Sequence, residues 1–239
     1  MRGLVSIGFV FFYLPAVLAQ TDLPHTAVAC FELGERLMEE NPQEALRAYN
    51  EAIRLNPGFA EAYYSRGILR EQNNELAEAL VDFSSCIDLQ PQNAEYIFSR
   101  GHLHYLLKHP DLSKKDFLGL TALPRGETTT IFYRQNSSSA NPVFTLQSEV
   151  ADAYFFFRIG LAELELQQFT PAIYWFDSAL RITPADADIL VSRGIAYSKR
   201  NQVDKAKADF EKALQLHPHH SEARYNLQLL SKGVNTSSS

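Results

Sequence analysis

The sequence predicts an all-α solenoid of about five helix-turn-helix units, closed by a C-terminal capping helix and interrupted once by an insertion. Three observations carry that fold class. Marker residues return every 34 positions in both halves of the chain: Pro57 and Pro91, Gly67 and Gly101, Ala45 and Ala79, Tyr49 and Phe83, then Pro184 and Pro218, Gly160 and Gly194, Ala172 and Ala206, Phe176 and Phe210. A fixed period of this length marks units that bury a continuous core by stacking on their neighbours. Between the markers lie paired stretches such as Ala60–Gln72 and Glu75–Leu89, whose apolar residues recur at three- and four-residue intervals, as on one face of a helix. Units close on an X-Pro step, as at Asn56-Pro57 and Gln90-Pro91, and the residue before a proline is driven out of the α region, which ends the second helix.

In chain order, residues 1–19 read as a signal peptide. Arg2 supplies a positive start, Leu4–Leu14 is almost wholly apolar, and Val17 and Ala19 place small side chains at −3 and −1 of a cleavage before Gln20. The run is shorter than the ~20 residues that span a bilayer, and Pro15 breaks it. The expectation is export, to the periplasm or outside the cell, with no transmembrane segment once the signal is removed. Loss of Arg2 takes the formal charge from −6 to −7 with both signs interspersed, so nucleic-acid binding has no electrostatic footprint. Two cysteines are too few for a disulfide scaffold. A Cys30–Cys86 bridge stays open, although the two fall on helices that are not obvious neighbours.

Residues 26–124 form units one to three. Small side chains at Gly67, Ala79 and Cys86 fall where two helix backbones must approach, and Phe83 is the bulky knob between them. The pattern Tyr63, Gly67, Ala79, Phe83, Cys86, Pro91 resembles a tetratricopeptide repeat (TPR), with small residues at repeat positions 8, 20 and 27, an aromatic at 24 and proline at 32. Unit one (26–59) is one residue short between Gly34 and Ala45; unit two (60–93) fits; unit three is degenerate, with Ser113, Phe117 and Leu120 as its later markers and Pro124 a residue early. Residues 150–220 hold units four (153–186) and five (187–220). The resemblance implies a right-handed superhelix whose first helices line the concave side.

The chain departs from the family's usual residues at positions 7 and 11, and the departure has a rule. Position 7 is Arg66, Arg100 and Arg193 in units two, three and five, and 16 residues on stand Asp82, Asp116 and Asp209. In unit four Ile159 is answered by Trp175, and in unit one Leu33 by Ala48. The joint switch predicts three Arg–Asp bridges between paired helices, which fix packing geometry more than they add net stability.

From Gly101 to Gly160 is 59 residues, 25 more than one period, so residues 125–149 are an insertion. The β-branched and aromatic run 128–133, the turn-forming 136–142 and the apolar 143–146 fit a β-hairpin or a long loop. It could fold over the groove or be a plain surface excursion. Residues 221–233 read as a lone capping helix with Gly233 as its stop, and 234–239 as a disordered tail.

Repeat positions 2, 5, 9 and 12 of each first helix share a stripe. Its apolar content peaks at units three and four, giving a candidate peptide-binding groove of Tyr64, Ile68, Phe98, His102, Tyr105, Tyr154, Phe157, Leu161 and Leu164, rimmed by Glu61, Glu95 and Asp188, with Arg158 as the one groove cation named as a contact. An exposed patch of this kind marks a binding site; burial under the insertion is the alternative. The ligand class would be a peptide or protein segment with apolar anchors and basic flanks. Lys and Asn, with which some TPR adaptors grip a terminal carboxylate, are missing: position 6 holds Ser65, Ser99, Arg158 and Ser192. The functional expectation is an adaptor without enzymatic activity or cofactor; a structural subunit of a larger assembly, by self- or hetero-association, is the other reading. Oligomeric state is open.

No chemistry-bearing motif competes. His217, His219 and His220 flank Pro218 at an inter-repeat turn without a completing ligand set. His102 and His104, two apart on a helix, point to different sides. No Gly-rich phosphate loop, metalloprotease motif or nucleophile elbow occurs. Asn136-Ser137-Ser138 and Asn235-Thr236-Ser237 fit a glycan acceptor pattern that matters only in a eukaryotic secretory route.

Overall fold

The computed structural model describes residues 23–124, 130–133, 141–145 and 149–233, with the backbone alone in the two short middle segments and at 149. The expected signal peptide (1–19), residues 125–129, 134–140 and 146–148 of the expected insertion, and the expected tail (234–239) lie outside the described residues.

Eleven helices are described: α1 (Ala27–Leu37), α2 (Pro42–Leu55), α3 (Ala60–Gln72), α4 (Leu76–Leu89), α5 (Ala94–Leu106), α6 (Pro110–Ala122), α7 (Glu149–Glu165), α8 (Phe169–Ile182), α9 (Ala187–Lys199), α10 (Val203–Leu216) and α11 (Ser221–Ser231). Each packs mainly on its neighbours in sequence, pair after pair, as a solenoid requires. Between α6 and α7 two strands, β1 (Thr130–Tyr133) and β2 (Asn141–Thr145), pair antiparallel with an irregularity after Ile131.

Within a pair the aromatic at position 24 lies on the glycine at position 8. A Cβ at Gly67, Gly160 or Gly194 would sit 2.7, 2.5 or 2.6 Å from a ring carbon of Phe83, Phe176 or Phe210, and one at Gly34 2.5 Å from Tyr49. These rings are fully buried, so the small residue at that position is the condition for the two helices to close. Unit three is degenerate in sequence but keeps the arrangement: Phe117 is fully buried and Ser113 donates from its hydroxyl to the Gly101 carbonyl at 2.9 Å, a bond that pays for the polar atom in the core.

The starts of units one, three and five are capped by side chains that accept otherwise orphaned amides: Thr26 from Ala29, Asn93 from Glu95 and Tyr96, and Asp186 from Asp188 and Ile189. The turn between paired helices repeats as well. Asn74, Lys108, Gln167 and Asn201 adopt φ of 63°, 59°, 58° and 58°, and the next amide reaches back five residues, as in Glu75 to Arg70 and Gln168 to Glu163, both at 2.8 Å. That is a left-handed cap. The shorter first turn has no left-handed residue, which accounts for its missing position.

The three Arg–Asp bridges are present. Arg66, Arg100 and Arg193 each clasp Asp82, Asp116 and Asp209 through two nitrogens, with closest distances of 2.6, 2.7 and 2.6 Å. Two of the arginines also reach back 16 residues to the preceding unit, Arg66 to Asn50 at 2.6 Å and Arg193 to Asp177 at 2.7 Å. Position 11 supplies a companion: Arg70 donates to Asp82 at 2.8 Å, and the His104 ring lies 4.0 Å from Asp116.

Cys30 and Cys86 are free thiols buried in separate apolar clusters, so the bridge left open by the sequence is not formed. Among the described residues no helix is long and apolar enough to cross a membrane.

Candidate functional site

The candidate residues fall into three groups rather than one stripe. Tyr64 and Ile68 belong to the junction of units two and three: Tyr64 packs on Tyr96 and Phe83 and shares a hydrogen bond with Ser99 at 3.2 Å, while Ile68 joins Leu69, Phe83 and Leu103. Phe157, Leu161 and Leu164 are half-buried against the core of units four and five, with Phe157 6.1 Å from Phe176. The third group, Phe98, His102, Tyr105, Tyr154 and Arg158, meets across the seam between α5 and α7.

At that seam Phe98 packs on Tyr154 and Phe117, with centroids 5.8 and 5.9 Å apart. The Arg158 guanidinium lies 3.9 Å from the Tyr105 ring centroid, 5.5 Å from Phe117 and 5.8 Å from Tyr154. Its Nη2 meets His102 Nδ1 at 3.3 Å. That contact makes Nδ1 an acceptor and leaves the imidazole proton on Nε2. Burial, joined by the Arg158 charge, pushes the His102 pKa down to about 4. Burial also raises the Tyr154 hydroxyl, against the pull of Arg158. Two ion pairs flank the seam, Lys108 with Glu165 at 3.1 Å and Lys114 with Glu163 at 3.4 Å.

An open groove along the whole stripe is therefore corrected. Phe98 is 1% exposed, Ile68 5%, and His102 and Arg158 each 8%. The physical reason is the neighbourhood: Ile68 is covered by Leu69, Phe83 and Leu103, and at the seam β1 packs beside α5 and β2 beside α7. Tyr64, Tyr105, Tyr154, Phe157, Leu161 and Leu164 keep partial exposure.

Sequence reasoning missed Phe117, which reaches the Arg158 cluster from a second helix. Its signal was the aromatic marker at position 24, discounted because the unit reads as degenerate. His102 and His104 face different neighbours, Arg158 and Asp116. His220 accepts from the Ala223 amide and contacts Asp188 at 3.0 Å, a structural cap. Among the described residues no cluster of three or more His, Cys, Asp or Glu could hold a metal ion.

Tetratricopeptide-repeat profiles match residues 36–106 and 187–220. Superkiller protein 3 of Saccharomyces cerevisiae is 40% identical over 67 residues, 28% of this chain and 5% of that protein. DnaJ homolog subfamily C member 3 of Bos taurus is 24% identical over 234 residues, 94% of this chain and 44% of that protein. The chain thus spans less than half the length of these curated relatives. Among solved structures, YrrB, described as a TPR protein with an unusual peptide-binding site, shares the fold at a TM-score of 0.68 and 20% identity, covering 85% of this chain and 92% of that one.

Proposed function

Because the chain belongs to the tetratricopeptide-repeat proteins, we propose that it is a non-catalytic adaptor that holds a segment of another protein on the face formed by its first helices, and that it acts outside the cytoplasm. The observation that carries the binding site is the run of half-exposed Tyr105, Tyr154, Phe157, Leu161 and Leu164 on α5 and α7. Apolar side chains that are packed on one side and open on the other offer anchoring contacts without collapsing the helices that bear them. The peptide-binding site for which YrrB is described is in keeping with this reading. Export rests on residues 1–19.

Affinity capture with the full chain, beside a Tyr105→Ala/Phe157→Ala variant, tests the site. A partner captured by the parent and lost from the variant, with unchanged circular dichroism, supports the face; equal capture places the contact elsewhere. Mass analysis of the chain recovered from its native host tests export: a mature start at Gln20 is expected, and retention of residues 1–19 overturns it.

A further inference from the structure

We propose that Arg158 is the seat for an acidic side chain carried inside the bound segment, an inference that rests on the binding face described above. The three arginines of the Arg–Asp bridges each have a carboxylate within 3 Å. Arg158 is more buried than any of them and, among the described residues, has none. Its Nη2 touches a neutral imidazole and its Nε has no hydrogen-bond partner. Nη1 bonds to no described residue. Of the acids on its own helix, the two nearest its C-terminal end are committed elsewhere, Glu163 to Lys114 and Glu165 to Lys108.

A guanidinium held in this way is costly to the fold. Stacking on Tyr105 fixes its plane, so a carboxylate would meet it edge-on from the Nη1 side, Nε being closed off from solvent and Nη2 held by His102. The imidazole of His102 cannot answer the charge, and as an acceptor it orients the fork.

The surroundings select where in the ligand the acid sits. Glu61 on α3 and Asp188 on α9 stand exposed on the flanking units. Acids on both sides of one buried cation call for a segment with basic residues on both sides of one acid, so the chain continues in both directions and the carboxylate belongs to a side chain. A terminal carboxylate would have basic residues on one side alone.

The test uses the full chain and a library of amidated eleven-residue peptides with varied Phe and Leu anchors, Lys flanks and a central Glu or Gln. A third set has central Gln and a free C-terminal carboxylate. The parent protein is expected to prefer central Glu over Gln by tenfold or more. Arg158→Met should erase that preference and raise Tm, because an unpaired buried charge is removed; Arg158→Lys should keep a weakened preference. Equal binding of the Glu and Gln sets overturns the inference and leaves the binding face standing. Preference for the free-carboxylate set overturns the internal placement, and a fall in Tm for Arg158→Met overturns the claim that the charge is unanswered. Binding of no peptide, or equal binding by Phe157→Ala, overturns the face itself and the inference with it.

Discussion

His102 shows how one buried residue links acidity to the fold. Its pKa is pushed down to about 4 from the model-peptide value of 6.5, first by burial and then by Arg158. The unfolded chain therefore takes up a proton near pH 6.5 that the folded chain refuses until about pH 4. Stability from this residue is fully present above pH 6.5 and is lost as the pH falls through that window, on the order of 3 kcal/mol in total. His104, also lowered by burial, contributes in the same direction. Urea midpoints measured from pH 7.5 to 4.5 should fall more steeply for the parent than for His102→Gln. Parallel slopes would assign the acid sensitivity to other groups.

At the scale of the element, the turn between paired helices is the repeated device. Gln167 holds a left-handed backbone that favours glycine, and its side chain is exposed. Gln167→Gly should stabilise the α7–α8 pair by about 0.5–1 kcal/mol, the left-handed strain relieved less the extra entropy that glycine loses on folding, read as a higher urea midpoint with an unchanged slope; a drop would mean that the side chain holds the turn. This turn also shows what the sequence left hidden. The left-handed position is occupied by Asn, Lys, Gln and Asn, none of them the glycine that would have announced it. The helix pairs themselves were legible, because a ring lying on Gly67 or Gly160 leaves no other residue for that place. The Arg–Asp bridges were legible from their joint switching at a spacing of 16, but their backward contacts to Asn50 and Asp177 were not, since Ser84 breaks the pattern in the unit between. The site was the least legible part. Exposure along a stripe such as Phe98, His102 and Tyr105 depends on where β1 and β2 lie, and no periodicity within the helices encodes that.

At the scale of the molecule, stability is shared between neighbours. The end unit leans on α11, whose Ala223 is fully buried and whose Leu227 and Leu230 pack on the core of units four and five. A chain ending at His220 should lose about 3 kcal/mol of apolar burial and show a lower Tm, with self-association in size-exclusion chromatography as the uncapped face finds a copy of itself. An unchanged Tm in a monomeric product would mean that the array closes without this helix. The reach of Arg66 and Arg193 in both directions has a further bearing on how such an array can be recombined. The forward half of each clasp travels with its own unit, whereas the backward half is inherited from whichever unit precedes it. Splicing unit five directly behind unit two would set Arg193 against Ser84 instead of Asp177, keeping every helix and yet weakening the joint. Units of identical length are thus not interchangeable parts, and their order along the chain is itself encoded.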